Sequence, residues 1–209
     1  MKDSEFYVVG INRFEKGYAY GEVEDNAVYT KSCDKCPACG RQVGEFEWVR
    51  PHNITISNKK LGDFIFGVFG PFAVNEKVKK ACEAEGITGI SEFCLLDSIR
   101  FRNQAVEQKY YVVKPKRIDV RPEPVIAEYM DAEEPYCEVC SKVNGSIYSD
   151  VWGYKMNRRK VTVIPDLFQT YTNGEETYCT QRFVDFCKKY KFTNFENHIM
   201  SFPEYSTQR

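Results

Sequence analysis

Cys36-Pro37-Ala38-Cys39-Gly40 and Cys137-Glu138-Val139-Cys140 are two C-x-x-C pairs at an offset of 101 residues, and their relation decides how this chain is read. Together they offer four thiolates, the ligand set of a tetrahedral metal ion held at about 2.3 Å from each sulfur. The first pair is the more specific. Pro37 stiffens the turn, and Gly40 permits the backbone to fold back so that amide N–H groups can point at the sulfurs. The second pair carries Ser141 where a glycine is expected. Cys33-Asp34-Lys35-Cys36 is also C-x-x-C and competes for the first knuckle, but the proline and glycine favour Cys36 with Cys39. The set Cys36, Cys39, Cys137 and Cys140 leaves no open coordination position, so the expected metal is structural. Spacing alone does not separate zinc from iron. Zinc is the commoner occupant of such cytosolic sites, and Zn²⁺ is the expected ion.

Working outward from the knuckles, a second match follows at nearly the same offset. Asn75-Glu76-Lys77-Val78-Lys79-Lys80-Ala81-Cys82 resembles Thr180-Gln181-Arg182-Phe183-Val184-Asp185-Phe186-Cys187. Both stretches read as a helix. Asn75 and Thr180 suit an N-cap, where a side-chain oxygen accepts from an orphan backbone N–H. Phe183, Phe186, Cys187 and Tyr190 fall on one helical face, and Val78, Ala81 and Cys82 take the matching places. Gly86 is a C-terminal stop. Strands are expected after each helix, within Ile87–Leu96 and Phe192–Phe202. Others are expected before them, at Phe46–Val49, Phe64–Phe69 and Val161–Ile164, from their β-branched and aromatic content. The reading is α+β: two pseudo-repeated units of strands, knuckle, helix and strand, clipped together by a structural zinc.

Arg121-Pro122-Glu123-Pro124 marks the boundary, as a loop or a sheet edge, because proline lacks the N–H that strand pairing needs. The first unit is then 1–120 and the second 121–209, forming one compact body. Asp131-Ala132-Glu133-Glu134-Pro135 reads as an acidic turn leading into the second knuckle.

The 209 residues suffice for a sizeable core, and 43% hydrophobic with 28% charged residues is ordinary for a folded chain. Nine cysteines, an odd number, fit a reducing compartment in which four ligate a metal and the others pack as small apolar groups. The opening Met-Lys-Asp-Ser-Glu-Phe is too acidic for a signal peptide, and no apolar run approaches the roughly 18 residues of a membrane span. The expectation is a cytoplasmic protein with no membrane partner.

Lys plus Arg at 29 against Asp plus Glu at 30 gives a net charge of −1. That balance argues against a zinc-ribbon nucleic-acid module, the alternative reading, which would show a basic excess. Lys114-Pro115-Lys116-Arg117 is a small basic cluster read as solvated surface. Catalytic constellations are missing from the sequence. His52 and His198 are the only histidines, and both read as structural. The residues after Cys39 read as strand, whereas a thioredoxin-like motif would open a helix. No Walker loop, G-x-G-x-x-G or G-x-S-x-G occurs. The chain is not expected to be an enzyme, and no catalytic residue is assigned.

Six short motifs in order carry a family resemblance: Cys36-Pro37-Ala38-Cys39-Gly40, Gly70-Pro71-Phe72, Arg100-Phe101-Arg102, Cys137-Glu138-Val139-Cys140, Asp166-Leu167-Phe168 and Thr180-Gln181-Arg182-Phe183-Val184. In this order, across nearly the whole chain, the sequence resembles the double-CXXCG immunity proteins, a myxobacterial paralogous group encoded with polymorphic toxins. The resemblance implies a non-enzymatic protein that binds the domain of a cognate toxin and protects the producing cell. Neither the toxin nor the contact surface nor an oligomeric state is encoded in these motifs.

Overall fold

A computed structural model describes residues 6–10, 17–25, 27–29, 35–41, 48–118, 121–124, 137–140, 154–157, 163–170 and 177–199. For residues 10, 28–29, 121–124, 154–157 and 196–199 it describes the backbone alone. The chain begins with β1 (Phe6–Gly10), β2 (Gly21–Val23), β3 (Val28–Tyr29), β4 (Trp48–Val49), β5 (Asn53–Ile56), β6 (Phe64–Ile65) and β7 (Ala73–Asn75). Helix α1 (Glu76–Ala84) follows, then β8 (Ile90–Leu95), β9 (Ser98–Phe101), β10 (Gln104–Ala105), β11 (Tyr110–Ile118) and β12 (Arg121–Pro124). The last elements are β13 (Tyr154–Asn157), β14 (Leu167–Thr170), β15 (Thr177–Thr180), α2 (Gln181–Lys189) and β16 (Glu196–Ile199). The fold is mixed α+β, dominated by strands.

The main sheet runs β16-β1-β15-β14-β11-β7-β6, with β8 also paired to β11. Most neighbours are antiparallel; β11 and β14 are parallel, with Lys116 opposite Phe168. Strands from both sides of residue 120 therefore share one sheet. A second sheet, β10-β9-β5-β2, lies apart from it in pairing, and two short ribbons, β3–β4 and β12–β13, complete the pattern.

Alternation along the strands builds two cores. Tyr7 and Val9 of β1, Val74 of β7, Val113 of β11 and Cys179 of β15 face Val78, Ala81, Cys82, Phe183, Phe186 and Cys187 of the helices. Ala73, Tyr110 and Val112 point the other way and pack with Ile54 and Ile56 of β5 and Ile99 of β9. Phe6, Phe168 and Tyr178 form a third, smaller cluster. Burying each such aromatic or aliphatic side chain contributes about 1.5–3 kcal/mol.

Both helices stand where the sequence puts them, though their starts differ. Asn75 caps α1: its Oδ1 accepts from the Val78 N–H at 3.1 Å. Thr180 sits at the N-cap of α2 without a side-chain cap bond, because its hydroxyl donates instead to Oδ1 of Asp166 at 3.3 Å. Gly86, with φ +60, ends α1 as expected.

The flanking strands are shorter than the sequence suggests. β6 stops at Ile65, since Gly67 at φ +85 turns the chain away from the extended region. Of the strand expected at Val161–Ile164, Val163 and Ile164 lie outside any strand and residues 161–162 lie outside the described residues; β14 begins only after Pro165 and Asp166. Arg121–Pro124 is a strand paired to β13, and the two-stranded ribbon gives both prolines an edge position. Asp131–Pro135 lies outside the described residues.

Candidate metal centre

In chain order the first knuckle falls between β3 and β4, which pair as a ribbon, and the second between β12 and β13, which pair likewise. In the first, residues 37–39 form a turn closed by the Gly40 N–H on the Cys36 carbonyl at 2.9 Å. The Cys36 N–H in turn donates to the Arg41 carbonyl at 2.8 Å. Gly40 takes φ +69, the left-handed conformation that its place in the motif anticipates. Residues 138–140 make the corresponding turn in the second knuckle.

The fold brings the four cysteines together. Cys36 Sγ lies 3.8 Å from Cys137 Sγ, and Cys39 Sγ lies 3.5 Å from Cys140 Sγ. All four sulfurs fall within 4.8 Å of one another. Four sulfurs held tetrahedrally at about 2.3 Å from one ion stand about 3.8 Å apart, so the donor set fits a metal of that size. Cys36 and Cys137 are buried, and Cys39 and Cys140 half-buried, which places the cluster's inner half away from solvent.

Local backbone chemistry favours the thiolate. The Cys39 N–H, followed by the Ala38 N–H against a burial cost, holds the Cys36 thiol down at about 6. The Cys140 N–H does the same for Cys137, with Val139 adding to it, and its thiol is lowered as well. These are the amide contacts that the folded-back knuckle supplies.

The other described cysteines behave in the opposite sense. Burial pushes the thiol of Cys82 up to about 12 and raises those of Cys94, Cys179 and Cys187. They stay protonated and act as small apolar groups in the cores. Cys33 and Ser141 lie outside the described residues.

Residues weighed for catalysis are tied into the scaffold. The His52 ring is buried, tilted against Trp48 at 4.7 Å between centroids, with Nε2 at 2.8 Å from the Trp48 carbonyl. His198 is in β16, opposite Val8. In the basic cluster, Lys114 pairs with Glu92 at 3.1 Å. Phe72 and the Asp166-Leu167-Phe168 run are buried, and Arg100 lies 3.8 Å from Glu24, so these motif residues serve packing and pairing.

Sequence reading passed over Asp63 and took Asp166 only as a motif residue, yet both carboxylates are buried at the start of a strand. Their shared context, an aspartate followed by two large apolar residues before a helix N-cap, was the available signal. No helix among the described residues is long and apolar enough to cross a membrane. No protein-family model matches the chain, and no curated protein matches it.

Proposed function

We propose that this chain is an immunity protein that binds and neutralises the domain of a cognate bacterial toxin, on a duplicated scaffold clipped by a structural Zn²⁺. The observation that carries the reading is the closed set of Cys36, Cys39, Cys137 and Cys140, drawn from knuckles far apart in sequence. Four thiolates fill a tetrahedral shell, so an ion there has no position for substrate or water and works by holding the chain. When bound, the ion supplies charge neutralisation for the thiolates and a bridge between the knuckles. The amides of Ala38, Cys39, Val139 and Cys140 orient and stabilise the sulfurs, and the burial of Cys36 and Cys137 limits water. Zinc peptides gain about 10–16 kcal/mol from such ligation, a scale large enough to govern folding.

The order of motifs supports the toxin partner, and the scaffold reading is compatible with neutralisation by occlusion in the cytoplasm. Binding energy in such pairs concentrates in a few anchors, so the protective surface is separable from the metal centre. Co-purification with the C-terminal domain of a toxin encoded beside the gene tests the proposal. A stable complex and survival of cells expressing both are the expected results. Failure to bind or protect, with salt-sensitive binding to DNA or RNA in its place, would favour the nucleic-acid module instead.

A further inference from the structure

The strands Phe6-Tyr7-Val8-Val9 and Tyr110-Tyr111-Val112-Val113 take matching places in the sheet. β1 lies between β15 and β16, with Tyr7 opposite Cys179 on one side and Ile199 on the other. β11 lies between β7 and β8, with Tyr111 opposite Val74 and Leu95. β15 and β7 each lead directly into a helix, and each tyrosine hydroxyl donates to the first residue of that helix. Tyr7 bonds Oε1 of Gln181, and Tyr111 bonds Oε2 of Glu76 at 3.2 Å. Tyr7 and Tyr111 stand 104 residues apart, close to the offsets of the knuckles and the helices, so the repeat divides before β11 rather than at residue 120. By that division β1 opens the half that contains α1, and β11 opens the half that contains α2. Each half gives its first strand to the other's helix unit.

The buried aspartates repeat the exchange. Asp63 precedes β6 and accepts from the Thr193 N–H at 2.8 Å and the Thr193 hydroxyl at 2.9 Å, just past α2. Asp166 precedes β14 and accepts from the Thr88 N–H at 2.7 Å and hydroxyl at 2.8 Å, just past α1. The backbone follows suit: Phe64 N–H donates to the Thr193 carbonyl at 3.3 Å, and Leu167 N–H to that of Thr88 at 3.1 Å. A cation from the first turn of a helix completes each latch, Lys77 on Asp63 and Arg182 on Asp166.

At the knuckles the pattern changes in an informative way. Cys36 meets Cys137 and Cys39 meets Cys140, each cysteine facing its own counterpart. A two-fold interface has both kinds of contact: counterparts meet at the axis, and off-axis contacts come in reciprocal pairs.

We infer that the chain is an isologous dimer fused into one polypeptide, its halves docked by exchange of their first strands and paired Asp–Thr latches, with the four-cysteine cluster on the axis. Docking and metal binding are then linked. An ion at the axis stabilises both exchanges together, and each latch strengthens metal binding by the factor by which the metal strengthens that latch. The exchange stands on strand register and hydrogen bonds alone; the linkage rests on the reading of the cluster as a metal site.

Thr88→Val and Thr193→Val in the 209-residue chain test this, because valine keeps the side-chain shape and replaces the hydroxyl with a methyl group. Zn²⁺ affinity is measured by competition with a chromophoric chelator, and amide exchange is followed with Zn²⁺ and after its removal. Both variants should lose affinity by a similar factor, on the order of tenfold. Chelation should speed exchange in β1 and β11 alike. An effect of one variant without the other, or loosening of one strand alone, overturns the linkage. Should the unmodified protein take up no Zn²⁺, the metal reading fails by itself. Double-mutant cycles in urea unfolding then decide the exchange: equal coupling for Asp63/Thr193 and Asp166/Thr88 supports it, and coupling in only one pair overturns it.

Discussion

Gly89 and Gly40 both sit at positive φ, +90 and +69, but their surroundings make them unequal. A Cβ on Gly89 would lie 1.9 Å from the Leu167 carbonyl oxygen and 2.7 Å from Pro165, where backbone has no room to move. A Cβ on Gly40 meets nothing within 4 Å. Gly40→Ala should therefore cost only the left-handed backbone term, about 1–2 kcal/mol. Gly89→Ala should cost clearly more, since it also forces β14 from its place beside Thr88. Urea unfolding of both variants checks the order. Asp63 supplies a pH-dependent case. Burial pushes its carboxyl up, but the Thr193 N–H, the Asn75 amide, the Thr193 hydroxyl and Lys77 outweigh that and hold it below the ordinary value. A lowered folded value means the carboxylate stabilises the fold above its unfolded pKa, and that contribution is lost as pH falls through the folded one. The stability of metal-free protein should decline below about pH 4, and Asp63→Asn should flatten that part of the curve. Working without metal keeps ligand protonation out of the measurement.

At the scale of elements, the two helices share a position and differ in how they begin. Asn75 both caps Val78 with Oδ1 and donates from Nδ2 to Asp63 at 2.8 Å, so its amide is used at both ends. Asn75→Ala should cost about 1–2 kcal/mol, at the upper part of the range for a lost N-cap. Asn75→Asp keeps the cap acceptor but sets a second carboxylate against Asp63, and it should destabilise more than Asn75→Ser at neutral pH. Thr180→Ala removes no cap bond and should cost less than Asn75→Ala. Thermal melts of the four variants at pH 7 rank them. The difference was hidden in the sequence because both residues belong to the same capping class. What separates them is Asp166, whose Oδ1 takes the Thr180 hydroxyl.

For the whole molecule, the decisive comparison is between the four clustered cysteines, which could hold a metal ion, and the cysteines that fill space. On the proposed reading, Cys39→Ser removes one of four thiolates and should lower both bound zinc and melting temperature substantially, with protection falling only as far as the folded fraction falls. Cys187→Ala leaves a small cavity under α2 and should cost about 1 kcal/mol without altering the metal content. Metal analysis, melting temperature and cell survival on the same samples separate the cases. A Cys39→Ser protein that stays fully folded yet loses all protection would give the thiol or its metal a direct role, against the scaffold reading.

The sequence alone carried the features that local chemistry encodes. The C-x-x-C spacing and its recurrence 101 residues later named the four cysteines whose sulfurs converge. Helical periodicity placed α1 and α2, and Gly86 ended the first of them. Strand limits and pairing were not legible in this way. Phe6-Tyr7-Val8-Val9 and Tyr110-Tyr111-Val112-Val113 are buried on both faces or nearly so, and a run without alternation says nothing about which strands will flank it. Only tertiary structure set β1 between β15 and β16, brought Thr193 to Asp63 and Thr88 to Asp166, and gave the lowered thiol of Cys36 a different role from the raised thiol of Cys187. Those outcomes depend on what lies across space from each residue: amide donors at a knuckle, hydrocarbon in a core, a carboxylate at a strand's start. A motif fixes its own backbone within a few residues, and long-range neighbours are chosen when the sheet closes.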